Sequence, residues 1–271
     1  NSWNTFGHDI NEKVVRDMAD FFVNEGYKDA GYKYIVIDDC WSKKQRENGK
    51  LVADPEKFPS GMKALADYIH SKGLKFGMYS CCGTMTCAGY PSSFDYEFVD
   101  AKTFASWGVD FLKYDFCHKP TSCTAQALYH RMGVALENCG RDILFSACNW
   151  GCEDAYKWMR STGAHMFRST GDIFDNFTSM KEIAESQIPL QYASGPNCFN
   201  DVDMLIVGMS GAGNVGAGGC TYNEYAVHFA LWCLFGAPLM MGNDLRKATP
   251  EIKALLQNKE LIRIDQDAAH R

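Results

Sequence analysis

Short apolar runs rich in β-branched and aromatic residues alternate along the chain with longer amphipathic stretches. The runs are YKYIVID, LKFGMYS, DFLKYD, DILFSA, HMFRS, DVDMLIV and APLMM, each with the residue types of a buried strand. Between them the amphipathic pattern predicts helices over Glu12–Asp29, Gly61–Lys72, Tyr96–Trp107, Thr124–Cys139, Glu153–Ser161, Phe177–Gln187, Tyr222–Phe235 and Thr249–Gln257. Thr221 with Glu224 is a capping-box signature ahead of YAVHFALWCLF. Strand–helix alternation of this kind predicts parallel strands joined by crossover helices.

A doubly wound sheet and a (β/α)8 TIM barrel both satisfy that pattern, and the polar residues choose between them. YIVID ends in Asp38 and Asp39, KFGMY in Tyr79 and DFLKYD in Asp115. ILFSAC is followed by Asn149 and Trp150, HMFR ends in Arg168 with Asp172 beyond it, and FNDVDM holds Asp201 and Asp203. In a barrel all of these share the C-terminal rim, where barrel sites sit. A doubly wound sheet would spread them along an open edge. The expectation is therefore an α/β barrel forming one catalytic domain over 1–271, with its first strand truncated just before Asn1.

The stretch GVDFLKYDFC carries the same signal within one strand. Side chains alternate across a strand, so Lys113, Asp115 and Cys117 share one side of an otherwise apolar segment. That pattern fits a strand buried until it reaches the rim and then opening into a pocket. An ammonium beside a carboxylate lowers its pKa and keeps it ionised, as a nucleophile requires. A structural ion pair is the plainer use of the same two residues.

Asp38, Asp39, Asp115, Asp172, Asp175, Asp201 and Asp203 gather many acids with few histidines, which suits acid–base or nucleophilic work on a neutral polar ligand such as a sugar. Trp3, Trp41, Trp150 and Tyr79 offer faces for its C–H surface. Magnesium is the rival use of clustered aspartates, but no phosphate loop accompanies them. Read singly, a strand-end aspartate also serves as a helix cap. GAGNVG, residues 211–216, matches a dinucleotide fingerprint in letters only, because the helix signature begins later, at Thr221.

The chain has 271 residues, 46% hydrophobic and 22% charged, with a net charge of −6, which favours neither nucleic acid nor an anionic membrane as partner. No apolar run reaches transmembrane length. The 12 cysteines show none of the usual zinc spacings, so most are expected to be small interior hydrophobes. NFT at Asn176 is a glycosylation sequon. The compartment stays open, with a secreted or extracellular one favoured over the cytoplasm.

NSWNTFG, IDDCW, FPSGMKALADYIHSKGLKFGMYS, DAKTFASWGVDFLKYDFC, FRSTGDIFDNF, NDVDML and GAPLMMGNDLR together resemble glycoside hydrolase family 27, the α-galactosidases and α-N-acetylgalactosaminidases. The resemblance runs in order over essentially the whole chain. It implies a retaining glycosidase on a (β/α)8 barrel, releasing terminal α-linked galactose from an oligosaccharide or glycoconjugate without metal or cofactor. By position, Asp115 is the nucleophile and Asp172 the acid/base. Sugar contacts fall on Trp3, Asp38, Asp39, Tyr79, Lys113, Arg168 and Asp203. Asn149 and Cys152 face the C2 substituent, where many relatives carry Glu and a bulkier residue. A Cys87–Cys117 disulfide is implied beside the site. His8 falls near the position where plant relatives have a cysteine for Cys40, and nothing near Ala164 pairs with Cys148. The family's C-terminal β domain is expected to be absent. The same resemblance leaves α-N-acetylgalactosaminidase activity as the alternative. A sugar-binding barrel without catalysis and a metal-dependent phosphate enzyme are less well matched.

Overall fold

The computed structural model describes residues 1–268, so the last three residues of the expected domain lie outside the described part. Six parallel strands form one sheet in sequential order: β1 (Tyr34–Val36), β2 (Lys75–Cys81), β3 (Phe111–Asp115), β4 (Leu144–Ala147), β5 (Met166–Arg168) and β6 (Phe199–Asp201). The result is a half-barrel wrapped by helices.

Alternation within the strands divides the core in two. Ile35 and Ile37 after Tyr34, Leu112 and Tyr114 of β3, and Phe167 of β5 point outward into the large cluster between sheet and helices. Val36, Phe111 and Met166 point inward as a small apolar floor. One pleat further along the same strands the inward positions become Asp38, Lys113 and Arg168. Strand register aligns these heights, since Tyr79 pairs with Lys113, Lys113 with Ser146, and Arg168 with Asp201. Layered inward side chains of this kind are what a barrel interior requires.

The helices named below in chain order are α1 (Trp3–Phe6), α2 (Glu12–Asn24), α3 (Gly61–Ser71), α4 (Glu97–Trp107), α5 (Ala125–Glu137), α6 (Ala155–Trp158), α7 (Phe177–Gln187) and α8 (Tyr222–Leu234). Two further short helices, α9 (Pro250–Leu256) and α10 (Lys259–Asp265), follow. The capping box at Thr221 and Glu224 is formed, and α8 begins there rather than at the glycine-rich loop. Asn176 of the sequon caps α7, its side chain accepting from Ser179 N.

Three expectations are corrected. The strand expected over APLMM is reduced to a single parallel bridge between Leu205 and Met241. Pro238 has no N–H to give a ladder, and its carbonyl accepts from Met240 N at 2.9 Å in a tight bend. DVDMLIV is not a strand: β6 ends at Asp201, and Asp203 turns the chain with a φ of 83°. The helix expected over Glu153–Ser161 is broken, because Glu153 and Asp154 have φ of 56° and 54° and leave α6 a single turn.

Between β1 and the bend at Met240 the wall is bridged at its rim by the first residues of the chain. Ser2 N donates to Val36 O at 3.1 Å, and Asn1 N to Met241 O at 3.0 Å. Below that bridge lies a mostly apolar groove of about 510 Å³, lined by Val15, Phe22, Ile35, Leu239 and Met241 among others. Its lining does not include the carboxylates described next.

Candidate active site

The end of β3 sets the centre of the site. Asp115 is 6% exposed, and its carboxylate is held on both oxygens. Oδ1 accepts from Phe116 N at 2.9 Å and Oδ2 from the Tyr79 hydroxyl at 3.1 Å. Burial pushes its pKa up to about 6, against the opposing pull of Lys113. The Asp38 carboxylate, and after it that of Asp172, adds to the rise.

Lys113 does not pair with Asp115. Its ammonium bonds Asp38 Oδ2 at 2.8 Å, across the ring. Burial is the largest single influence and opposes the ammonium charge, but the fields of Asp38, Cys148 and Asp115 and the hydrogen bond to Asp38 together hold the Lys113 pKa well above the ordinary value. The expectation that Lys113 makes Asp115 a low-pKa carboxylate is thereby corrected: the lysine acts in that direction, and desolvation wins. Asp38 is also fixed by Asn1 Nδ2 at 2.9 Å, and its backbone N–H donates to Ser2 Oγ. Asn1 is a contributor the sequence reading left out, although it stands first in the NSWN motif.

On the opposite side, β5 delivers Arg168, which is 3% exposed. Nη1 lies 3.0 Å from Asp203 Oδ1, and Nη2 reaches Asp172 Oδ1 at 3.2 Å. Nη2 also donates to the carbonyls of Thr170 and Gly171, so the guanidinium shapes the turn that presents Asp172. Burial is the largest single influence and works against the guanidinium charge, but Asp203, Cys148, Asp201 and Asp172 together hold the Arg168 pKa above its ordinary value. Asp172 itself stands clear, with its side chain 58% exposed. Asp203 is buried, its carboxylate accepting from Ile173 N and Met204 N at 2.7 Å each, and burial raises its pKa. Burial raises Asp201 to about 6.

The remaining expected positions divide. Asp39 is 2% exposed, accepting from Cys40 N at 2.7 Å and Ala88 N at 3.0 Å, and so ties the loop after β1 to the loop after β2. Tyr79 is 1% exposed, with its hydroxyl on Asp115 and its ring under the Lys113 ammonium at 5.3 Å. Trp3 starts α1 at the rim beside His8. Asn149 is fully buried, with Nδ2 donating to Cys152 O at 2.8 Å and Oδ1 left without a partner. Cys152 is exposed beside it.

Other residues serve the frame rather than the pocket. Trp41, read as a stacking face, is a core residue: it donates Nε1 to Tyr79 O and packs edge-on against Phe104 and Trp107. Trp150 packs edge-on against Phe116. Asp175 accepts from Gly211 N and the Tyr225 hydroxyl, holding the glycine-rich loop. Cys87 and Cys117 are disulfide-bonded with Cα atoms 5.1 Å apart, as the resemblance implied. His8 Nδ1 lies 3.0 Å from Cys40 Sγ, which gives that thiol a partner. Cys148 is a free buried thiol, 3.7 Å from Arg168 Nη1, and is a second pocket neighbour that its own run of sequence did not reveal.

Parallel strands whose C-terminal ends gather several carboxylates, an arginine and a lysine define a β/α architecture with its polar site at the strand ends. The chain belongs to the alpha galactosidase A family, whose model it matches over residues 5–267. It is 48% identical over 269 residues to an α-galactosidase of Cyamopsis tetragonoloba, covering 98% of this chain and 63% of that protein. It is 43% identical over 272 residues to α-galactosidase A of Homo sapiens, covering 95% of this chain and 60% of that one. Among solved structures, α-galactosidase I of Mortierella vinacea superimposes with a TM-score of 0.91 at 37% identity, over 98% of this chain and 71% of its own. The Saccharomyces cerevisiae α-galactosidase with raffinose gives 0.88 at 33%, over 98% and 63%. The chain thus spans about three-fifths to two-thirds of the length of the curated relatives it matches.

Proposed function

We propose that this chain is the catalytic barrel of a retaining α-galactosidase, residues 1–271 acting as one domain on terminal α-linked galactose of an oligosaccharide. The observation that carries the reading is the unequal pair of carboxylates. Asp115 is buried and doubly hydrogen-bonded, while Asp172 is over half exposed and aimed by Arg168. Paired acids in different environments are the mark of divided acid–base roles.

In the first step Asp115 attacks the anomeric carbon as Asp172 gives its proton to the departing glycosidic oxygen. In the second, Asp172 takes a proton from water, and that water releases the sugar from Asp115. Tyr79 and Phe116 N–H orient the attacking oxygens throughout. Asp38, with Lys113, and Asp203, with Arg168, lie at the height where sugar hydroxyls are grasped. Trp3 and Asp39 complete the rim. On this reading the two carboxyl groups lie about 5–5.5 Å apart, as retention requires.

The substrate class is supported by the raffinose complex of the yeast relative, and the barrel architecture by six parallel strands in sequential order. The Cys87–Cys117 bridge supports an oxidising, extracellular compartment. The test is turnover of paired aryl substrates. Hydrolysis of the α-galactoside at a higher kcat/KM than the α-N-acetylgalactosaminide supports the proposal. Absence of turnover on both reduces the chain to a sugar-binding barrel.

A further inference from the structure

The Cys87–Cys117 disulfide lies beside the Asp115 carboxylate. Among the described residues, Cys87, Cys117 and Asp115 bring two sulfurs and a carboxylate oxygen within 4.8 Å of one another. Cys117 lies two residues beyond Asp115, and Cys87 is on the loop after β2. The Tyr79 hydroxyl touches both parts, 3.1 Å from Asp115 Oδ2 and 3.4 Å from Cys87 Sγ.

Other contacts hold the two cysteines together. Gly83, four residues before Cys87, runs so close to β3 that a Cβ there would fall 2.0 Å from Cys117 O. Cys82 N donates to Asp115 O, and Thr84 N to His118 O. Ala88, next to Cys87, donates to Asp39 Oδ2. Breaking the sulfur–sulfur bond leaves these bonds in place, so the sulfurs part by the little that non-bonded atoms need and remain neighbours. Cys87 is exposed, so a reductant has access, and exposed bridges are the labile ones.

We infer that the reduced protein binds a thiophilic divalent cation, of the zinc or cadmium type, on Cys87, Cys117 and Asp115. A dithiol reductant supplies two electrons and two protons. The sulfur–sulfur bond breaks, two thiols form, and the reductant closes to its own disulfide. The cation then displaces two thiol protons and takes two thiolates and the carboxylate, with water in the fourth position. Once reduction has let the two sulfurs part to non-bonded distance, two soft ligands and one hard one suit tetrahedral coordination, with metal–sulfur bonds of about 2.3 Å. The ion occupies the carboxylate proposed as nucleophile, so reduction and metal together silence the site, and a chelator restores it.

The inhibition rests on the proposed function, whereas the binding does not. The experiment is therefore a cadmium titration followed by thiolate-to-metal charge-transfer absorbance, on the oxidised protein and after dithiol reduction, with activity read in parallel. The oxidised protein controls for the ten other cysteines, exposed Cys152 included. The expected result is one additional cadmium per chain and a new absorbance band after reduction only. Cys87→Ser loses both, and Asp115→Asn keeps the band while weakening the affinity about tenfold or more. A chelator removes the band in the reduced wild type. Equal binding by oxidised and reduced protein, or by reduced Cys87→Ser, overturns the inference. So does loss of the folded near-ultraviolet signature on reduction alone. A band that forms in a protein without galactosidase activity overturns the functional proposal and leaves the metal site standing.

Discussion

Lys113 gives its ammonium to Asp38, at 2.8 Å, and not to Asp115, two residues along its own strand. The consequence is a division of labour around one cation. Asp38 receives the hydrogen bond, while Asp115 receives only the field, too little to cancel the cost of burial.

That arrangement predicts a pH signature. Asp115 must be ionised to attack, and its pKa stands at about 6, so kcat/KM falls as pH drops through that value. Lys113→Met removes the ammonium whose field pulls the Asp115 pKa down. Its acid limb is expected to move to higher pH, by about one unit or more. A pH–rate profile on an aryl α-galactoside checks this, and an unmoved limb would show that Asp115 does not control it.

Asp115 also makes the fold less stable at neutral pH. Its folded pKa of about 6 lies above the ordinary 3.8, so the native state favours the protonated form. The stability that this preference contributes is complete below about pH 4 and is lost as pH rises through 6. Asp115→Asn keeps an acceptor for Phe116 N–H and a partner for Tyr79 while removing the charge. It is expected to be inactive yet more stable at pH 7.5, by about 2–3 kcal/mol, the size of a shift of roughly two units. Thermal melting at pH 7.5 and 4 tests the sign: a gain at the higher pH that vanishes at the lower one is predicted.

Much of this site is legible in the sequence because strand parity is a strong signal. Phe111 and Leu112 fall on opposite faces, as alternation demands, and Lys113 and Asp115 continue the inner face to the rim. Partner choice is not legible in that way. Residues two apart on a strand are parallel, whereas a curved sheet brings side chains of equal height together from different strands, as with Lys113 and Asp38. Trp41 shows a second gap, since an aromatic at a strand end reads the same whether it faces sugar or core. The bend at Pro238 and the left-handed Glu153 and Asp154 break apolar patterns that otherwise favour a strand and a helix.

Asn149 sets the expected selectivity at C2. Its amide nitrogen is committed to Cys152 O, and its oxygen is the unpaired atom. On the proposed reading that oxygen, buried in the free protein, is the acceptor left for a C2 hydroxyl once sugar binding uncovers it, while the committed nitrogen is less able to donate to an acetamido carbonyl. Cys152 leaves space beside it, so discrimination by bulk is modest. Galactosides are expected to be preferred over N-acetylgalactosaminides by about 1–3 kcal/mol in kcat/KM. Cys152→Trp fills that space and should widen the margin. A wild-type preference for the N-acetylated substrate would reverse the ranking.

The central claim is that Asp115 attacks and Asp172 serves as acid and then base, two displacements that return the anomeric carbon to its starting configuration. Proton NMR of the first sugar released from an aryl α-galactoside, recorded before mutarotation, reads this directly. The α anomer is predicted as the initial product. Initial release of β-galactose would mean that water attacks in a single step, and would contradict the role assigned to Asp115.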